Sequence, residues 1–147
     1  MAGAAVGGKE TEFIEMRKKA KQPKQPPIYR ASERLLSWAV PIVDSMPKSL
    51  ASQTLGGLLI RDLRDCLTAV LIGHDAVDLS AKIQSIKLLI GNLTAVRTTM
   101  RIFTENRYIS IKQEMEFLDL VNPIQVQALA WLNKWEQAVA ESSNIHG

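Results

Sequence analysis

Long stretches free of proline and glycine constrain this chain more than any other feature of its sequence. Three of the six prolines lie before residue 30, and the 147 residues include only eight glycines. Proline breaks helix interiors and glycine weakens them, so segments that lack both favour long helices over strands joined by turns. Aromatic residues make up only 5% of the chain, which fits a core of aliphatic side chains better than a β-sandwich.

After residue 27, apolar residues recur with helical spacing in four segments. We predict helices over about residues 28–46, 49–72, 79–105 and 110–140. Four such helices joined by short loops predict an all-α protein, an antiparallel up-down-up-down four-helix bundle over residues 28–147. Gly56 and Gly57 each weaken a helix interior by roughly 1 kcal/mol. They indicate either a close crossing with another helix, which we favour, or a later start of the second helix.

Punctuating residues refine these helix boundaries. Pro41 should kink the first helix, and Pro123 should kink or break the fourth. Gly73 should close the second helix. Ser110 and Gln113 have the spacing of a capping box at the start of the fourth helix.

The third and fourth helices carry the most informative apolar patterns. The third has apolar residues over roughly 160° of a helical wheel, against ~100° for a helix that packs only within its own bundle. The excess predicts a subunit interface, and hence a homo-oligomer. These residues are Leu79, Ile83, Ile86, Leu89, Ile90, Leu93, Val96, Met100 and Phe103. The apolar pattern of the fourth helix comprises Met115, Leu118, Val121, Leu129, Leu132 and Val139. Trp131 and Trp135, one turn apart, indicate either core packing or an interface.

Residues 1–27 have the composition of a flexible basic arm. They contain six basic residues against three acidic ones, and three prolines near their end. Arg17, Lys18 and Lys19 are candidate contacts for nucleic acid or for a partner protein. The alternative is a solvated arm without a binding role.

The third helix is basic and the fourth acidic. Residues 79–109 contain five basic residues and one acidic, whereas residues 110–147 contain two basic and five acidic. The candidate contacts for an anionic partner are Lys87, Arg97, Arg101 and Arg107. The first three lie within about 80° of one another on a helical wheel and would form a strip that holds RNA phosphates. Alternatively, the arginines pair with acidic residues of the fourth helix, such as Glu114 or Glu116, and only stabilise the bundle.

We find no candidate catalytic residue, metal ligand set or cofactor site in the sequence. One cysteine, Cys66, and two distant histidines, His74 and His146, cannot form a zinc site, and neither histidine follows a glutamate as a di-iron bundle requires. We therefore predict a protein that is not an enzyme and binds macromolecules. The absence of a secretory signal or a long apolar run predicts a cytoplasmic protein without a membrane partner.

Four segments together carry a family resemblance. They are SERLLSWAVP at residues 32–41 with the later MPK at 46–48, the second helix with Gly56, the turn from Arg97 to Ile109 into Ser110, and WLNKW at residues 131–135. In their order and spacing the chain resembles the accessory variability determinant (Avd) proteins of diversity-generating retroelements. These belong with the four-helix-bundle proteins encoded in intervening sequences of bacterial ribosomal RNA genes.

The resemblance implies a function that composition and spacing do not. It implies a pentameric barrel in a bacterial or phage-infected cell. This barrel would bind the retroelement reverse transcriptase and its template RNA, with cDNA as a further ligand, and support mutagenic cDNA synthesis. The alternative is a structural or interaction bundle of the ribosomal RNA intervening-sequence type with no polymerase partner.

Overall fold

A computed structural model describes residues 26–146 of the protein. Its four helices are α1 (Pro27–Ser45), α2 (Leu50–Asp75), α3 (Leu79–Glu105) and α4 (Ile111–His146). No strand occurs between residues 26 and 146, so the all-α prediction is confirmed for this part of the chain. Residues 1–25 of the predicted arm lie outside the described part of the protein. Its last residue, Pro27, is the first residue of α1.

The helices pack around one aliphatic core. α1 contacts α2 and α4, and α3 contacts α2 and α4, so each helix has two neighbours, as in a helical bundle. Side chains from all four helices are fully buried in the core; among the largest are Leu35, Leu63, Leu89, Phe103, Phe117 and Ile124.

Two of the helices begin with a capping box. The Gln113 N–H donates to Ser110 Oγ at 3.1 Å, and the Ser110 N–H donates to Gln113 Oε1 at 2.9 Å. These bonds form the predicted capping box at the start of α4. Ser49 and Ser52 form an equivalent pair at the start of α2, with both bonds 3.1 Å long.

Gly73 does not close α2, and that prediction is wrong. The helix continues to Asp75, and Gly73 is buried inside it. A Cβ at this position would lie 3.4 Å from Ser85 Cβ and 3.7 Å from the Trp135 ring. The glycine therefore allows close packing of α2. Lys82 Nζ donates to the carbonyls of Gly73 and His74 at 2.9 and 3.1 Å. These bonds satisfy two carbonyl groups of the last turn, which have no partner within the helix.

The two internal prolines each lie within a single helix. α1 continues past Pro41, and α4 continues past Pro123 without a break. Both prolines are exposed, so each ring occupies the outer side of its helix, where a backbone carbonyl that has lost its donor can bond to water.

The predicted close crossing involves only one glycine of the pair. A Cβ added at Gly56 would lie 2.7 Å from Val43 Cγ1, so α1 and α2 approach closely there. A Cβ at Gly57 would meet nothing within 4 Å. Gly56 is therefore the crossing residue, and Gly57 faces open space.

The wide apolar arc of α3 packs against the core of its own bundle. Six of its residues are fully buried, while Leu79, Ile83 and Ile90 are half-buried and pack against the same core. Since α3 packs between α2 and α4, a wide arc is what its position requires. The arc therefore no longer supports a subunit interface on α3.

Candidate nucleic-acid and partner interface

Two residues of the predicted basic strip pair with acidic residues of α4. Arg101 Nη1 donates to Glu114 Oε1 at 3.3 Å, and its Nε lies 3.4 Å from Glu105 Oε1 on α3 itself. Lys87 Nζ lies 4.0 Å from Glu136 Oε1. Glu114 is the most shielded acid of the group, with 17% of its side chain exposed. For Arg101, the structure therefore shows the alternative to RNA binding, which is pairing with Glu114 of the fourth helix.

Arg97, the third residue of the strip, is held by an amide. Its Nη2 donates to Asn122 Oδ1 at 3.4 Å, and the side chain is half-buried. Its Nε and the second carboxylate oxygen of Glu114 are buried without a hydrogen-bond partner in the described part of the protein. Arg97 therefore lies in the α3–α4 seam, and its cost of burial is incompletely offset.

Arg107 differs from the other three candidates. It lies in the turn between α3 and α4 with a φ of 60°, in the left-handed region, and its side chain is exposed. Among the cations between residues 26 and 146, Arg34, Arg107, Lys112 and Lys134 have neither an ion pair nor a side-chain hydrogen bond. Two of them lie close together, Arg107 in the turn and Lys112 in the first turn of α4. The candidates Arg17, Lys18 and Lys19 lie outside the described residues.

An exposed apolar feature on α4 was not predicted. We call it the α4 stripe: Ile111, Met115, Leu118, Val126 and Leu129, which are 39–72% exposed. The buried face of α4 instead consists of Phe117, Val121, Ile124, Ala128 and Trp135. The predicted apolar pattern of this helix therefore mixed two faces, since Met115, Leu118, Leu129 and Val139 are exposed.

The two tryptophans of α4 pack at one end of the bundle. Their rings lie 5.1 Å apart, and the His74 ring stacks on Trp131 at 6.4 Å. Lys82 Nζ lies 5.3 Å from the centre of the Trp135 ring. Trp135 is buried and Trp131 half-buried. Of the two alternatives, the structure therefore favours packing between α2, α3 and α4.

A shallow apolar groove runs between α1 and α2. It has a volume of about 450 Å³ and is lined by Val40, Pro41, Val43, Asp44 and Ile60. It contains one carboxylate and neither histidine nor cysteine, so it resembles a contact surface more than a reaction site.

Cys66 lacks the properties of a nucleophile. It is buried in the core, and burial, with a smaller contribution from Asp62 and Asp65, raises the pKa of its thiol to about 12. A thiol that stays protonated at neutral pH is unreactive. Among residues 26–146 there is also no group of three or more metal-ligating side chains and no helix apolar enough to span a membrane.

The chain matches no protein-family model and no curated protein sequence. Its relation to the accessory variability determinant proteins therefore stays a resemblance.

Proposed function

We propose that the protein is a non-catalytic accessory subunit that binds a retroelement reverse transcriptase and its template RNA and supports mutagenic cDNA synthesis. It acts in the cytoplasm as a homo-oligomer, for which the family resemblance implies five copies. The observation that carries a binding role is the α4 stripe. Soluble proteins seldom leave so many apolar side chains exposed along one helix unless a partner covers them.

The proposed chain order within the bundle is up-down-up-down. Two ion pairs support it for α3 and α4, because the earlier α3 residue pairs with the later α4 residue. Lys87 lies near Glu136, whereas Arg101 lies near Glu114. Connections of only three to five residues between successive helices also suit antiparallel neighbours.

For RNA, the cations without an ion pair or a side-chain hydrogen bond are the best contacts. Arg107 lies in the α3–α4 turn and Lys112 just after it, and six further basic residues lie in the N-terminal arm. Lys87 and Arg101 would have to exchange a carboxylate for a phosphate, which reduces the net gain from binding. We therefore assign the larger role to the α3–α4 turn and to the arm.

Titration of a fluorescent single-stranded RNA by anisotropy tests this assignment. The Arg107→Glu, Lys112→Glu double variant should weaken RNA binding at least tenfold, and Lys48→Glu serves as the control because Lys48 is paired with Asp44. For the unaltered protein, log K should fall with log salt by ~0.7 per phosphate contacted. Equal affinity in the double variant and in Lys48→Glu would contradict the assignment, and absence of RNA binding at low salt would contradict the RNA-binding role.

A second candidate function is an interaction bundle without a polymerase partner. The pairing of the α3 cations with α4 favours it, because it neutralises the strip that would otherwise attract RNA. Co-purification separates the two functions. A reverse transcriptase encoded beside this gene should bind the protein under the first proposal, whereas self-association without polymerase or RNA binding supports the second.

A further inference from the structure

The α4 stripe occupies a narrow face of its helix. From Ile111 to Leu129 it extends about 27 Å along the axis. At 100° per residue, the six positions that lie within about 80° of one another over this length are the five stripe residues and Asn122. This face lies roughly 130° from the centre of the buried face, so α4 has two separate apolar faces.

The stripe has a spacing that suits pairing with a reversed copy of itself. In an antiparallel pair centred near residue 120, Ile111 of one chain lies beside position 129 of the other. In the same register Met115 lies beside position 126, and Leu118 beside Asn122. Apolar residues therefore meet apolar residues at both ends, and the one polar position falls beside the twofold axis.

We propose that a second copy of this chain covers the α4 stripe through an antiparallel, twofold contact between the two α4 helices. This inference deepens the self-association part of the proposed function by naming the surface and the register. A twofold contact gives even-numbered particles, either two chains or ten where two rings of five meet.

Length favours a second α4 over the other apolar surface as the occupant. The groove between α1 and α2 is bounded on α1 by residues 40–44, about 6 Å of helix. It could cover only a fraction of the 27 Å stripe. A second α4 matches the stripe over its whole length and leaves no apolar end exposed.

A carboxylate beside the stripe should weaken the contact between the two copies. Asp119 is exposed and lies about 20° beyond the stripe edge, next to the proposed axis. Two copies of this carboxylate would approach each other there, and like charges oppose association. With one helix seam as the contact, the interface lies at the small end of specific interfaces, which suggests micromolar rather than nanomolar dissociation.

Charge substitutions test the register by sedimentation velocity. Met115→Glu and Val126→Lys should each weaken association at least tenfold. The double variant should recover it, because each new carboxylate then faces a new ammonium on the other copy. Val77→Glu, at a residue that is 98% exposed outside α4, should have no effect, and Asp119→Asn should strengthen association. Failure of the double variant to recover, or equal effects of Val77→Glu and Met115→Glu, would overturn the proposal.

Cysteine cross-linking with a short bifunctional maleimide tests the direction of the pair. Leu118→Cys should cross-link to its own copy, while Ile111→Cys should not, because the two positions 111 are about 27 Å apart along the axis. A mixture of Ile111→Cys and Leu129→Cys should cross-link. The unaltered protein is the control, since Cys66 is buried.

The possible results separate this inference from the proposed function. A cross-link of Ile111→Cys to itself would indicate a parallel pair and overturn the inference. A five-chain particle without the Leu118→Cys cross-link would also overturn it, yet would leave the proposed function standing. A monomer that binds RNA and polymerase would likewise overturn this inference and leave the binding function standing. Absence of RNA and polymerase binding in a protein that forms the α4 pair would overturn only the proposed function.

Discussion

Substitution of the two adjacent glycines of α2 should have opposite effects on stability. Gly56→Ala places a methyl group 2.7 Å from Val43 Cγ1, far inside van der Waals contact. Gly57→Ala places the same group where nothing lies within 4 Å. The two variants make the same chemical change in the same helix, so each is the matched control for the other.

The expected magnitudes follow from two opposing effects. Alanine stabilises a helix interior by about 1 kcal/mol relative to glycine. Val43 is half-buried and β-branched, so it cannot rotate away freely, and an overpacked contact of this kind costs about 1–3 kcal/mol. Gly57→Ala should therefore raise the free energy of unfolding by about 1 kcal/mol, whereas Gly56→Ala should lower it by up to about 2 kcal/mol.

Urea unfolding monitored by circular dichroism measures both effects at matched protein concentration. The midpoint should move in opposite directions with an unchanged m-value. In a Val43→Ala background, which removes the clashing methyl group, Gly56→Ala should cost at least about 1 kcal/mol less than in the unaltered protein. Equal stabilisation by the two glycine substitutions would refute the close crossing at Gly56.

Three further predictions concern caps, charges and the buried thiol. Ser110→Ala should lower the free energy of unfolding by about 1 kcal/mol in urea titrations, because it removes one half of the capping box. Arg101→Ala should cost at most about 1 kcal/mol, and less at high salt, because the Arg101 side chain is 66% exposed and its partner Glu105 is 60% exposed; an unchanged cost in high salt would indicate that the shielding of Glu114 or a packing role dominates instead. Cys66 should resist thiol reagents at neutral pH until the protein unfolds. Its pKa is raised from 9.0 to about 12, so above pH 9 the unfolded chain binds fewer protons than the native protein and stability falls as pH rises. Cys66→Ala should lack this part of the decline.

The helices could be predicted from sequence because their signals are local. Apolar spacing located all four helices, and the limits of the third were predicted at residues 79 and 105, where α3 begins and ends. The capping box at Ser110 is likewise formed by residues three positions apart. The prediction that Gly73 closes α2 was wrong because Lys82 bonds to the carbonyls at the end of this helix. Lys82 is nine residues away from Gly73, so no local sequence pattern shows this contact.

The candidate site was harder to predict because its properties depend on contacts between helices. Periodicity identifies apolar positions but does not say which of two apolar faces is buried. On α4, Phe117 and Ile124 are in the core while Met115 and Leu129 are exposed. Similarly, the count of basic residues in the third helix could not show that Arg101 pairs with an acid of the fourth.

The positions of Arg97 and the α4 stripe restrict how the protein could combine RNA binding with self-association. Arg97 is bonded to Asn122, the one polar residue on the stripe face. If two α4 helices pair in the proposed register, Leu118 of the second copy covers Asn122 and shields Arg97 from a phosphate. Arg107 lies in the turn before α4, and because α4 continues to His146, residues near position 133 of the second copy pass beside that turn in the same register. RNA binding through Arg97 or Arg107 should therefore compete with α4 pairing, most strongly for Arg97. Measuring α4 cross-linking of Leu118→Cys with increasing RNA tests this: a falling yield supports binding at these arginines, and an unchanged yield indicates that RNA binds elsewhere, for example through the basic residues before position 26.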